Sequence, residues 1–90
     1  MLILPIKKKW FDMILSGEKK EEYREIKPYY TSRFPSTFDS FSVMFRNGYS
    51  KNSPSFIAKV KLSIGKGRPE WGAEENQKYY ILNIIEIDNQ

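Results

Sequence analysis

The sequence predicts a single α+β domain over residues 1–90, in which short strands form a small β-barrel, open or closed, with one main helix packed against it. The chain has 90 residues, of which 40% are hydrophobic and 16% aromatic, so one core built largely on aromatic rings is possible. One segment has the periodicity of a helix, and several others alternate with a period of two. One helix with many short strands in so short a chain is typical of a small barrel.

The first elements follow from apolar runs near the N-terminus. Leu2–Ile6 forms a short apolar run that predicts the first strand. Apolar residues such as Trp10 and Ile14 then recur at helical spacing, with lysines and an aspartate on the other side. Gly17 stands where a helix commonly ends in a left-handed residue. We therefore predict a helix over about Lys7–Ser16.

The second half of the chain has the clearer strand signals. A single helical turn around Tyr30–Arg33 is predicted between two prolines. Alternation in "FDSFSVMFRN" and in "SFIAKVKLSIG" predicts two strands, and "YYILNIIEID" predicts a last strand that is apolar on both faces and hence central in the sheet. In the second of these strands the predicted core face consists of alternate apolar residues: Phe56, Ala58, Val60, Leu62 and Ile64.

The composition restricts the chemistry that the chain can perform. Cysteine and histidine are both absent, so we expect neither disulfides nor a metal site, and we expect no cofactor. Any catalysis would depend on carboxylates, lysines, tyrosines or hydroxyls. In "MLILPIKKKW" the apolar run precedes the lysines, which is the reverse of a secretory signal, and no segment approaches membrane-span length. We therefore expect a cytoplasmic protein without a membrane partner, and the net charge of +4 suits an anionic partner such as nucleic acid.

The segment "SGEKKEEYREI", residues 16–26, is unusually rich in charge for a chain that must build a core. If it is extended after Gly17, alternation places Glu22 and Arg24 side by side on one face and Lys19 on the other. Pointing into a cleft, Glu22 and Arg24 would form a partly desolvated charged pair. On the residues alone the alternative stays open that the segment is an exposed edge strand whose charges discourage aggregation.

The same segment resembles a known family. "GEKKEEYR" fits the G-x-K-x-x-E-x-R signature of the ASCH domain, a PUA-like family of small β-barrels, at Gly17, Lys19, Glu22 and Arg24. The preceding strand and helix, and the loop and last strand "GKGRPEWGAEENQKYYILNIIEI", are also similar to those of small ASCH proteins of the type found in bacteria and phages. The resemblance covers nearly the whole chain and implies a PUA-like barrel whose motif lines a cleft that binds RNA or a nucleotide.

The resemblance also implies roles for the motif residues. Lys19 would offer a positive charge to a phosphate or a reacting group. Glu22 would accept hydrogen bonds from a base or orient Lys19, and Arg24 would hold Glu22 or a phosphate.

Further binding candidates lie outside the motif. Trp71, in a polar loop, would stack on a base with Arg68 nearby for phosphate, or else anchor the loop on the barrel. Tyr30 is a second aromatic candidate, and Arg46 would extend the positive surface.

Two alternatives to simple binding remain open. The chain would be a small hydrolase acting on a modified nucleoside or on RNA, with Lys19 and Glu22 as catalytic residues. Some ASCH-like proteins are amidohydrolases of N4-acetylcytidine, and ribonuclease activity is attributed to others. The amidohydrolases have a threonine nucleophile where this chain has Glu22, which would instead act as a general base toward water. The second alternative is a protein-interaction module, and the sequence leaves self-association open.

Overall fold

Residues 1–35 and 39–88, which a computed structural model describes, form a small α+β fold. A five-stranded sheet curls into a half-barrel, and one main helix packs on it. This confirms the predicted fold class at that level. The elements in chain order are β1 (Leu2–Ile6), α1 (Lys8–Leu15), β2 (Glu21–Glu25), the short α2 (Pro28–Thr31), β3 (Ser40–Asn47), β4 (Ser55–Lys66), a single 3-10 turn (Pro69–Trp71) and β5 (Lys78–Asp88).

The strands lie in the order β1-β3-β4-β5-β2. β1 and β3 are parallel, and the other neighbours are antiparallel. β5 lies between β4 and β2, which confirms that the last strand is not an edge. The first residue of the predicted segment "FDSFSVMFRN", Phe38, lies outside the described residues. Because β1 and β2 stand at the two ends of this strand order, they are the two edges of the curled sheet.

The core fills the concave side of the sheet. Val43, Phe45, Ala58 and Val60 are fully buried there, and α1 closes the open side with Phe11, whose ring lies 4.9 Å from that of Phe56. Through such contacts the apolar face of α1 packs on the sheet and shields its core residues from water.

One residue of the predicted core face of β4 is not in the core. Ile64 is 46% exposed, so its placement in the core was wrong. β4 continues beyond β3, whose pairing with it ends at Ser40 and Lys61. Beyond that point β4 pairs with β5 alone among the described strands, as far as Lys66 and Lys78, so one side of its end has no neighbouring strand.

The turn after α1 determines where the charged segment begins. Gly17 has a φ of 87°, a conformation that glycine adopts without strain. The Lys19 N–H then donates back to the Met13 carbonyl at 2.9 Å. β2 begins only at Glu21, so the prediction that Lys19 takes part in the strand alternation was wrong.

Candidate functional site

The gap between the two edge strands is the main opening of the half-barrel. Arg24 on β2 donates from Nη2 to the Pro5 carbonyl of β1 at 2.9 Å. A cleft of about 730 Å³ opens at this junction. It is lined by residues from both edges, the start of α1 and three loops: Pro5, Ile6, Lys7, Trp10, Glu22, Tyr23, Arg24, Glu25, Lys27, Tyr30, Gly48, Tyr49, Gly72, Glu74, Gln77 and Tyr79.

An ion cluster made of Lys19, Glu22 and Arg24 lies at the cleft, with Glu22 and Arg24 in the lining and Lys19 beneath it. Glu22 is only 6% exposed, and its two carboxylate oxygens contact different cations. Oε1 lies 3.0 Å from Lys19 Nζ, and Oε2 lies 3.0 Å from Arg24 Nη2. One anion thus serves two cations, and the cluster carries a formal charge of about +1 with all three groups ionised.

Lys19 lies under the cleft rather than in it. The residue is 1% exposed, and its ammonium donates to the Trp71 carbonyl at 2.5 Å. The same nitrogen lies 4.3 Å from the centre of the Trp10 ring and 5.2 Å from that of Tyr23. Burial lowers the pKa of Lys19, and the nearby Glu22 carboxylate opposes this effect in part. Its position makes Lys19 a link between the ion cluster and the loop after β4.

Arg24 joins β2 to three other parts of the site. Besides Glu22 and Pro5, it donates from Nη1 to the Tyr30 hydroxyl at 3.1 Å. Its Nε is buried and has no hydrogen-bond partner among the described residues. Because a planar guanidinium holds several acceptors in fixed directions, Arg24 places the Tyr30 hydroxyl and the Glu22 carboxylate next to each other.

The loop after β4 packs closely on β2 and α1. A Cβ at Gly67 would lie 2.7 Å from the Tyr23 ring, and one at Gly72 would lie 3.0 Å from the Trp10 ring. The Tyr23 hydroxyl accepts from the Arg68 N–H at 2.9 Å and donates to Glu21 at 2.7 Å. Burial raises the pKa of Tyr23. These contacts hold the loop against the wall of the cleft.

The structure brings some of the predicted site residues together and separates others. Glu22, Arg24 and Tyr30 border the cleft, whereas Lys19 lies beneath it. The other three predicted residues lie outside its lining among the described residues: Trp71, Arg68 and Arg46.

Each of those three residues has another position. The Trp71 carbonyl accepts the Lys19 hydrogen bond. Arg68 lies over the Trp71 ring at 4.9 Å and pairs loosely with Glu70 at 3.8 Å. Arg46 lies on β3 opposite Pro5.

Several lining residues were not recognised from the sequence. Trp10 was assigned to the apolar side of the helix, yet its ring also borders the cleft. Tyr49, at 88% exposure, stands at the rim in a loop of Gly, Ser and Asn, where an isolated aromatic residue was an available signal. Glu25, Glu74 and Lys27 are further charged residues of the lining, and nothing in their local sequence sets them apart. Lys7 begins a run of three lysines, which is a sequence signal for a positive surface.

Comparison of the chain with protein-family models, with curated proteins and with solved structures found no match. Within residues 1–35 and 39–88, no group of three or more acidic, histidine or cysteine side chains is placed to hold a metal ion. None of the helices in the same residues is long and apolar enough to cross a membrane.

Proposed function

We propose that this protein binds a nucleobase, as part of a nucleotide or of RNA, in the cleft between β1 and β2. The observation that carries the proposal is the Glu22 carboxylate, which borders the cleft while Lys19 and Arg24 hold both of its oxygens. Replacing buried ions by apolar residues is often neutral or stabilising, so their presence is weakly explained by stability. Placement at a cleft of about 730 Å³ points to recognition of a polar ligand.

The size and lining of the cleft support a ligand of this class. A volume of about 730 Å³ lies within the range of small-molecule sites, about 300–1,000 Å³. Aromatic rings border it, including Trp10, Tyr30 and Tyr79. Bases stack on such rings and use hydrogen bonds to their edges for specificity.

The charges of the lining indicate where a phosphate would lie. The lining contains three anions and three cations, so it is close to neutral: Glu22, Glu25 and Glu74 against Lys7, Arg24 and Lys27. Arg24 pairs with Glu22 at 3.0 Å, whereas Lys27 pairs only loosely with the exposed Glu25, at 3.8 Å, so Lys7 and Lys27 are the more available positive groups. A base would therefore occupy the interior, and its phosphate would contact the two lysines.

We also propose that the fold is the PUA-like barrel of an ASCH domain. Its support is that Lys19, Glu22 and Arg24, three residues of the G-x-K-x-x-E-x-R signature, meet in one cluster. The half-barrel with one main helix agrees with that fold at a coarser level.

The binding proposal can be tested with two double variants that remove the same charge. Lys7→Ala/Lys27→Ala changes the cleft, whereas Lys59→Ala/Lys61→Ala changes exposed lysines of β4 that alternate with its core residues. Isothermal titration with nucleosides, nucleoside monophosphates and short single-stranded RNA should show salt-dependent binding of the phosphorylated ligands.

The first double variant should weaken binding of the phosphorylated ligands and reduce its salt dependence, and the second should leave binding unchanged. Equal binding by the two double variants would refute the assigned phosphate position. No binding of any ligand in the panel would refute the proposed function.

A hydrolase is the second candidate, since Glu22 borders the cleft beside a buried ammonium whose pKa is lowered by burial. Glu22 would act as a general base toward water bound in the cleft, with Lys19 orienting it. The test is chromatography of acylated nucleosides and of RNA after incubation with the protein. Release of neither the deacylated nucleoside nor RNA fragments would refute the hydrolase and leave the binding proposal intact.

A further inference from the structure

We propose that the cleft selects guanine among the nucleobases, because Glu22 and Tyr30 offer hydrogen-bonding groups in the order that the Watson–Crick edge of guanine requires. This inference rests on the proposed function and names its ligand class.

Glu22 retains acceptor capacity toward the cleft. An ionised carboxylate has about four lone-pair sites and no donor. Lys19 contacts one oxygen and Arg24 the other, each at 3.0 Å. Each oxygen therefore keeps acceptor capacity, and Glu22 borders the cleft. The carboxylate thus suits a ligand with two parallel N–H donors.

The cations of the cluster use most of their donors within the protein. Lys19 is 1% exposed and does not border the cleft among the described residues. The Nη atoms of Arg24 use three of their four N–H groups for Glu22, Pro5 and Tyr30, and its Nε is buried. One Nη1 N–H has no acceptor among the described residues, and Glu22 is the acceptor that the cluster presents to the cleft.

Tyr30 adds one donor beside the carboxylate. Its hydroxyl oxygen accepts from Arg24 Nη1 at 3.1 Å, which leaves its own hydrogen to donate. The same guanidinium contacts Glu22, so the hydroxyl and the carboxylate are neighbours. Together they form a row of one donor followed by two acceptors.

Only one standard base presents the complementary row. Guanine has the O6 acceptor, then the N1–H donor, then the N2 amino donor. Uracil has one N–H between two carbonyls, and adenine and cytosine have one amino group beside an acceptor nitrogen. Through this edge each of these bases would give the Glu22 carboxylate at most one N–H donor, so guanine makes one more hydrogen bond to a charged group than they do.

A ligand series on the unaltered protein tests the proposal without a mutation. Inosine is guanosine without the 2-amino group, so it removes one donor to Glu22 and keeps O6 and N1–H. Isothermal titration should give guanosine at least about ten-fold tighter binding than inosine, as expected for one hydrogen bond to a charged group. Uridine, adenosine and cytidine should bind more weakly than guanosine.

The source of the base is distinguished by two further ligands. Guanosine monophosphate represents a free nucleotide, and a short oligouridine with a single guanosine represents RNA. Tighter binding of either one than of guanosine identifies the source. Equal binding of guanosine and inosine would overturn the guanine assignment while the proposed function stands. No binding by any of these ligands would overturn both.

Tyr30→Phe and Tyr29→Phe form a matched pair of variants for the donor. Tyr30 borders the cleft, whereas its neighbour Tyr29 lies outside the lining among the described residues. Because guanosine and inosine share O6, Tyr30→Phe should weaken both by the same factor and leave their ratio unchanged. Tyr29→Phe should change neither. An unchanged affinity in Tyr30→Phe, or a changed ratio, would refute the assigned contacts.

Discussion

Replacing Glu22 by glutamine should destabilise the protein more than replacing Lys19 by methionine. Glu22 is the shared anion of the buried ion cluster, 3.0 Å from each cation. Glu22→Gln leaves Lys19 and Arg24 as two buried cations without a counterion. Lys19→Met removes a charge instead and leaves Glu22 and Arg24 as a balanced pair.

The magnitude follows from these distances. Two unit charges 3.0 Å apart attract by roughly 5.5 kcal/mol at an effective dielectric constant of about 20. Desolvation offsets part of this attraction, and removing one partner of a buried pair typically costs about 3–5 kcal/mol, which we expect for Glu22→Gln. Lys19→Met mainly leaves the Trp71 carbonyl without its donor, at about 1–3 kcal/mol.

Urea denaturation followed by far-ultraviolet circular dichroism measures both free energies of unfolding. Glu25→Gln is the matched control, because it makes the same chemical change on the same strand. The Glu25 side chain is 64% exposed and lies 3.8 Å from Lys27, so its contribution is small. If Glu22→Gln lost no more stability than Lys19→Met or Glu25→Gln, the charge argument for the ion cluster would be wrong.

Two further predictions concern the loop after β4 and the pH dependence of stability. Gly67→Ala places a Cβ 2.7 Å from the Tyr23 ring, whereas the Cβ of Gly65→Ala has its nearest atom at 3.5 Å. In urea denaturation, Gly67→Ala should lower the free energy of unfolding by about 1–3 kcal/mol. Equal losses of stability in the two variants would contradict the close packing. Burial lowers the pKa of Lys19 from 10.5, so just below pH 10.5 the unfolded chain binds more protons than the folded one. The free energy of unfolding of the unaltered protein, relative to that of Lys19→Met, should therefore rise as the pH increases toward 10.5. A difference that stays constant with pH would refute the lowered pKa.

Local periodicity predicted most of the fold. β4 and β5 were recognised because one face of β4, and both faces of the first half of β5, are buried. Gly17 was recognised as the end of α1 because its left-handed conformation is one that glycine adopts without strain. The prediction that Ile64 lies in the core was wrong for a reason outside β4 itself, because β3 stops pairing with β4 before it reaches Ile64.

The ion cluster could be predicted in part. Glu22 and Arg24 are two residues apart on a true strand, so a period of two placed them together. Lys19 depends on the turn after Gly17, and strand alternation assigned it to the wrong face. Its partner, the Trp71 carbonyl, is a backbone atom 52 residues away, and side-chain chemistry gives no signal for a backbone acceptor.

The half-barrel explains why the cluster and the cleft coincide. A curled sheet of this size has two edges, and unpaired edge strands expose donors and acceptors. Here the β1 edge is bridged to β2 through the side chain of Arg24, which donates to the Pro5 carbonyl, and not through a backbone ladder.

A side-chain bridge holds the edges together while leaving space between them. It also brings a charge into the barrel, and Glu22 compensates that charge. Glu22 thus balances the charge of Arg24, and it also borders the cleft that remains between the two edge strands. Stability and the proposed ligand recognition therefore depend on the same carboxylate, which is why a series of ligands separates the two roles better than a series of mutations.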